Sequence, residues 1–209
     1  MRIHDFGNPD ASTVLIEPIH TVDGMANEAE ILREMAGDRF LLRAVEVDWF
    51  RDLSPWTAPP VFGNTPFGDG APETLQQILT LTEDPEKQYV LGGYSLGGLF
   101  ALWAAYQSDA FAGVAAVSPS VWFPGFADYT LSHTLRTGLV YLSLGDREEK
   151  TGNPVMAAVG DRIREYHARL QTQGVPCCLE WNEGNHFRDP DRRTAKGFAW
   201  VLKRLKADS

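Results

Sequence analysis

Cysteine is nearly absent: the 209 residues hold two, Cys177 and Cys178, side by side. Neighbours on a strand point to opposite faces, so this pair does not suit a disulfide. No CxxC or Cys/His spacing suggests zinc. The two read as small apolar residues within a strand. A basic run is missing as well. Lys and Arg number 19 against 28 Asp and Glu, a formal net charge of -9 with a pI near 5.0. Such a chain is a poor partner for a phosphate backbone or an anionic lipid surface, which argues against nucleic-acid and membrane partners. No uninterrupted apolar stretch approaches the roughly 20 residues of a membrane span. The start, MRIHDFGNPDAS, carries no charged-then-apolar signal pattern. The expectation is a soluble cytoplasmic protein. Repeats and low-complexity tracts are also missing.

What remains is ordinary for a globular domain: 44% apolar and 22% charged residues. The length suits one well-buried core, so residues 1–209 are expected to form a single domain. Strand-like and helix-like segments alternate. Residues 12–19, 40–48, 138–146 and 176–184 read as strands, 89–95 as a strand and then a turn, and 111–123 as a segment that starts as a strand. Residues 24–35, 96–109, 154–174 and 191–208 read as helices. Continuous apolar strands separated by helices predict a mostly parallel sheet covered on both faces, an α/β three-layer sandwich. Such folds carry their sites in loops after the carboxyl ends of strands. One segment breaks the alternation. Residues 49–72, WFRDLSPWTAPPVFGNTPFGDGAP, have no period and are rich in Pro, Gly and aromatics. Their aromatics argue against disorder, and the segment is expected to wall a pocket.

Residues 90–100 read VLGGYSLGGLF. Within them Gly93-Tyr94-Ser95-Leu96-Gly97 matches G-x-S-x-G. The pattern alone is weak, but it follows an apolar strand and opens an apolar helix, the setting of a nucleophile elbow. The glycines fit a bend where a bulky neighbour would collide with the crossing backbone. Ser95 is therefore the candidate nucleophile, and the Leu96 amide a candidate oxyanion donor at a helix N-terminus.

A serine hydroxyl needs a base, and the base an orienting carboxylate. His4, His133 and His167 fall in polar or helical surroundings. His20 follows the first strand and could face the site. His186 fits best, in the loop NEGNHFRDP after the last strand, matching the order Ser, acid, His. The acid is sought after strand 138–146, where Asp146, Glu148 and Glu149 lie. Glu148 is favoured over Asp146 because its position leaves room for the loop to turn back towards His186. The second oxyanion amide is sought in EPIHTVDG (17–24). Pro18 has no N–H, leaving Ile19 or His20, of which Ile19 is preferred. Trp49, Trp56, Trp122, Phe187 and His20 are the expected substrate-contacting side chains. No metal or organic cofactor is implied.

The segments GYSLGG (93–98), SPSVWF (118–123), SLGDREEKTGN (143–153) and GNHF (184–187), with DWFRDLSPWTAPPVFG (48–63), resemble the esterase D and enterochelin-esterase-like group of the α/β-hydrolase superfamily. The resemblance covers nearly the whole chain. It implies an α/β-hydrolase-type sandwich with Ser95 as nucleophile, His186 as base and the SLGDREE segment as source of the acid. It also implies that Trp122 walls the acyl or alcohol pocket. Many enterochelin esterases carry an extra N-terminal domain that helps bind the siderophore. This sequence begins almost at its first core strand, which moves the expectation from a siderophore lactone to smaller esters. No helical cap insertion is evident after 111–117, so a deep lipase-like pocket is not expected. The reading is a serine carboxylester hydrolase that works through an acyl-enzyme on a small-molecule ester. The alternatives are an acyltransferase or thioesterase of the S-formylglutathione hydrolase kind, a siderophore-type lactone esterase, and a non-catalytic binding protein of the same fold. Homo-oligomerisation is left open.

Overall fold

The computed structural model describes residues 2–205. Seven strands form one sheet in the order β1-β3-β2-β4-β5-β6-β7. They are β1 (Arg2–Gly7), β2 (Thr13–Ile19), β3 (Phe40–Glu46), β4 (Gln88–Tyr94), β5 (Gly113–Val117), β6 (Val140–Gly145) and β7 (Cys177–Asn182). Every pairing from β3 to β7 is parallel; β1 alone runs antiparallel, against β3. The central strands β2, β5 and β6 are buried along their whole length. That is why they read as mostly apolar runs rather than as alternating ones.

Helices cover both faces. On one face α1 (Met25–Ala36) and α8 (Pro190–Leu202) pack Leu32, Met25, Phe198 and Ala195 onto Leu15, Phe40, Val90 and Tyr141. On the other, α3 (Ala71–Leu79), α4 (Leu96–Gln107) and α7 (Val159–Thr172) close over Val14, Leu91, Val114 and Leu142. The short helices α2 (Trp49–Asp52), α5 (Phe126–Ser132) and α6 (Pro154–Ala157) lie in the connections. Helix α4 is buried on all sides from Leu96 to Tyr106, consistent with a sequence of small and large apolar residues with no polar face. Cys177 and Cys178 are both free, and they pack against opposite faces of the sheet.

Several boundaries differ from the sequence-based expectation. Strand β1 was not expected, because its side chains are largely exposed. It is held as an edge strand by backbone pairing and by cross-strand charges. Arg2 meets Glu46, and Asp5 accepts two hydrogen bonds from Arg43 at 2.9 and 3.0 Å. Helix α3, amphipathic with Leu75 and Ile78 buried, begins at Ala71, within the end of the segment 49–72. The expected helix over 154–174 is two, α6 and α7, separated at Ala158. In the segment 111–123, which was expected to start as a strand, the strand runs Gly113–Val117 and the chain turns at Ser118. Of the expected closing helix, residues 206–208 lie outside the described residues. Among the described residues, no helix is long and apolar enough to cross a membrane.

Candidate active site

Ser95 stands between β4 and α4 with φ 56° and ψ -116°. Such a backbone state costs a side-chain-bearing residue about 1–3 kcal/mol and persists only where its surroundings enforce it. Here they do. The Ser95 amide donates to the Val117 carbonyl at 3.0 Å, and the Ser95 carbonyl accepts from the amides of Leu99 and Ser120. The glycines are required by close approach. A Cβ on Gly93 would sit 3.0 Å from the Gly97 carbonyl carbon. One on Gly98 would sit 3.0 Å from the Gly93 oxygen and 3.1 Å from Pro119. The bend can close only with hydrogen at those positions.

The elbow lifts the hydroxyl out of the sheet, where two loops meet it. Ser95 Oγ lies 3.0 Å from His186 Nε2, and His186 Nδ1 lies 2.7 Å from Glu148 Oε2. The three side chains come from the loops after β4, β6 and β7, all at the carboxyl end of the parallel sheet. Glu148 is buried. Its second oxygen, Oε1, accepts from Ser118 Oγ and the Gly145 amide, each at 2.7 Å, and from Arg193 Nη1 at 3.1 Å. Burial acts to raise the carboxyl's pKa, but His186, through a hydrogen bond and its charge, together with Ser118 and the Gly145 amide, holds it below the ordinary carboxylate range. A buried carboxylate so surrounded stays ionised and fixes the imidazole with Nδ1 protonated and Nε2 facing Ser95.

Of the two acids left open by sequence, Glu148 is the one in contact with His186. Asp146 is engaged elsewhere: its Oδ1 accepts from the Gly184 amide at 2.8 Å, tying the β6 turn to the loop that carries His186. Glu149 pairs with Arg164 at 2.8 Å. The side chains of His4 and His133 are engaged elsewhere. His4 meets Glu46 at 3.0 Å, and His133 stacks on Tyr129.

Four residues around the Ser95–His186–Glu148 chain were not anticipated. Ser118, just past β5, holds a positive φ of 43° and donates a hydrogen bond to Glu148. Its place after a strand was the available signal. Arg193, buried on α8, binds Glu148, the Tyr94 hydroxyl and the Glu183 carbonyl. Nothing in the sequence separates it from its neighbours Arg192 and Lys196. Tyr94 donates to the His186 carbonyl at 2.7 Å. Ser120 Oγ lies 3.4 Å from Ser95 Oγ.

Ser95 opens into a cavity of about 460 Å³ whose walls carry no Asp, Glu, Lys or Arg side chain. Trp49, Trp122 and Phe187 line it as expected, joined by Phe50, Phe62 and Met156. The segment 49–72 thus supplies Trp49, Phe50 and Phe62 to the wall. Two expected contacts are corrected. Trp56 donates to the Pro124 carbonyl at 2.8 Å and packs on Phe123 and Tyr129, bracing the connection after β5 instead of lining the cavity. Its indole N–H needs a buried acceptor, and Pro124 provides one. His20 is exposed and lines a different cavity with Glu46, Asp48 and Arg51; it meets Trp49 only edge-on. Ile19 is also reassigned. Its carbonyl accepts from Val47 in the ladder to β3. A strand residue turns its N–H and C=O to the same side, so the Ile19 amide faces β3 and away from Ser95. Among the described residues, no group of three or more His, Cys, Asp or Glu side chains is placed to hold a metal ion.

No protein-family model matches the chain, and no curated protein does either. Solved structures do. An enterobactin esterase from Shigella flexneri superposes with a TM-score of 0.66 at 14% identity, over 98% of this chain and 56% of that one. The chain therefore spans little more than half that esterase's length. An alpha-beta serine hydrolase homologue from Coxiella burnetii gives 0.58 at 16% identity, covering 98% of this chain and 91% of that one. A fluorophosphonate-binding serine hydrolase F from Staphylococcus aureus gives 0.60 at 12%, covering 93% and 87%. At these identities the likeness speaks to architecture. The parallel sheet with one antiparallel edge, the helices on both faces and these structural neighbours together give the chain the α/β-hydrolase fold.

Proposed function

We propose that the protein is a serine hydrolase that cleaves small carboxylic esters through an acyl-enzyme. The observation that carries this reading is the Ser95–His186–Glu148 chain, with contacts of 3.0 and 2.7 Å, opening into an uncharged aromatic cavity. The similarity of fold to an enterobactin esterase and to serine hydrolases supports it.

In this mechanism His186 Nε2 takes the Ser95 proton as Oγ attacks the ester carbonyl. Glu148, ionised at neutral pH, stabilises the imidazolium that forms. The Leu96 amide, first in α4, points at the developing oxyanion with the helix dipole behind it. With Ile19 turned towards β3, the second donor is assigned to the His20 amide. His186 then protonates the leaving alcohol, and a water, activated the same way, frees the acyl group. The walls formed by Trp49, Phe50, Phe62 and Trp122 suit a short apolar or aryl acyl group.

The test is hydrolysis of short-chain p-nitrophenyl esters. Wild type should turn them over, and Ser95→Ala should lose at least about 10³-fold in kcat/KM. Turnover retained in that variant would sink the mechanism. Competing alcohols in the same assay separate hydrolysis from acyl transfer.

A further inference from the structure

A second cavity of about 300 Å³ adjoins the first. The two share Trp122, Met156, His186 and Phe187, so they form two lobes of one cleft that meet at the imidazole. Their chemistry differs. The lobe at Ser95 is apolar, whereas the second adds Arg147, Lys150, Thr151 and Asn185 to a wall that also holds Val159 and the Glu148 carboxylate, itself already bound by His186 and Arg193. The two cations have no ion-pair partner among the described residues, although three carboxylates share their turn. Asp146 is bound to the Gly184 amide, Glu148 to His186 and Arg193, and Glu149 to Arg164. On a chain of net charge -9, two uncompensated cations facing an active-site lobe are a local reversal of sign.

The reaction geometry says which half of a substrate enters that lobe. His186 Nε2 must return its proton to the leaving oxygen, so the alcohol half has to lie on the imidazole side of the cleft. The acyl half is then left to the aromatic lobe that Ser95 faces. Resting on the serine-hydrolase reading above, we infer that Arg147 and Lys150 bind an anion on the alcohol half. The substrate class is thus an apolar acyl or aryl ester whose leaving alcohol or phenol carries a carboxylate or phosphate. In the acylation step the Ser95 Oγ–acyl bond forms and the acyl–oxygen bond breaks. The Ser95 proton passes through His186 to the leaving oxygen, and the anionic alcohol departs. Water then cleaves the acyl-enzyme to the carboxylic acid and restores Ser95.

The experiment compares 4-acetoxybenzoate and 4-acetoxyphenyl phosphate with the neutral methyl 4-acetoxybenzoate. The readout is the ratio of kcat/KM for each anionic ester to that for the neutral one. In the double variant Arg147→Gln, Lys150→Gln the ratio should fall about tenfold, chiefly through KM, since each exposed ion pair contributes modestly. Whichever anionic ester loses more identifies carboxylate or phosphate as the preferred group. Salt gives a second readout that needs no variant: in wild type, added NaCl should lower turnover of the anionic esters and leave the neutral one nearly unaffected. A ratio unchanged in the double variant, or an equal salt response for all three esters, would overturn the inference. If the neutral ester is still cleaved in a Ser95-dependent way, only the anion site is lost. If wild type cleaves none of the three, the hydrolase reading falls with it.

Discussion

Replacing Glu17 by Gln should flatten the pH dependence of folding stability. Glu17, on β2, and Glu28, on α1, are buried against each other, with Asp191 of α8 adding a third carboxylate nearby. Among the described residues no cation pairs with either glutamate and one oxygen on each has no hydrogen-bond partner; Asn27 Nδ2 donates to Asp191 at 3.0 Å. Burial, with Asp191's charge adding to it and a hydrogen bond to Glu28 opposing, pushes the Glu17 pKa from 4.5 up to about 7, and Glu28 is raised as well. A raised folded-state value means that the folded protein holds the proton more tightly than the unfolded chain. The associated stability is present in full below the unfolded value of about 4.5 and is lost as pH rises through about 7. At about 1.4 kcal/mol per factor of ten in proton affinity, the loss from Glu17 amounts to roughly 3 kcal/mol. Urea unfolding of wild type and Glu17→Gln at pH 5 and pH 8 reads it directly. The variant should recover most of that loss at the higher pH, because a neutral amide has nothing to ionise. Equal pH slopes for the two proteins would refute the reasoning.

Two further substitutions probe the site. Glu148→Gln keeps the shape but removes the charge that stabilises the imidazolium, so ester turnover should drop by roughly 10²–10⁴-fold with little change in KM; steady-state kinetics showing less than a tenfold loss would refute the role. Gly145→Ala places a Cβ 2.4 Å from the Gly184 oxygen and 3.0 Å from Glu148 Oε1, forcing the β6 turn away from the His186 loop. It should cost about 1–3 kcal/mol in urea unfolding, and an unchanged midpoint would contradict that packing.

Much of this architecture was legible because chemistry and topology coincide. The runs of β2, β4, β5 and β6 are mostly apolar since both faces are covered. Ser95, Glu148 and His186 each fall within a few residues of a strand's end, where a parallel sheet gathers its loops. Strand β1 was not legible, because an exposed edge is held by pairing with β3 and by charges that look like ordinary surface. Arg193 was hidden for a different reason: its burial depends on the face of α8 turned to the sheet, and a basic stretch does not reveal which member faces inward. Aromatic content marked residues 49–72 as a wall but could not sort it. Phe50 and Phe62 face the cavity, whereas Trp56 turns to Pro124. Nor could loop position alone show that the Ile19 amide is used by the ladder to β3.

The central claim is that Ser95 is a nucleophile activated by His186. A fluorophosphonate probe followed by intact-mass and peptide mass spectrometry tests it most directly. The account predicts one adduct per chain, on Ser95, absent in Ser95→Ala and strongly slowed in His186→Gln. A folded wild-type protein that takes no label, or takes it on another residue, would contradict it.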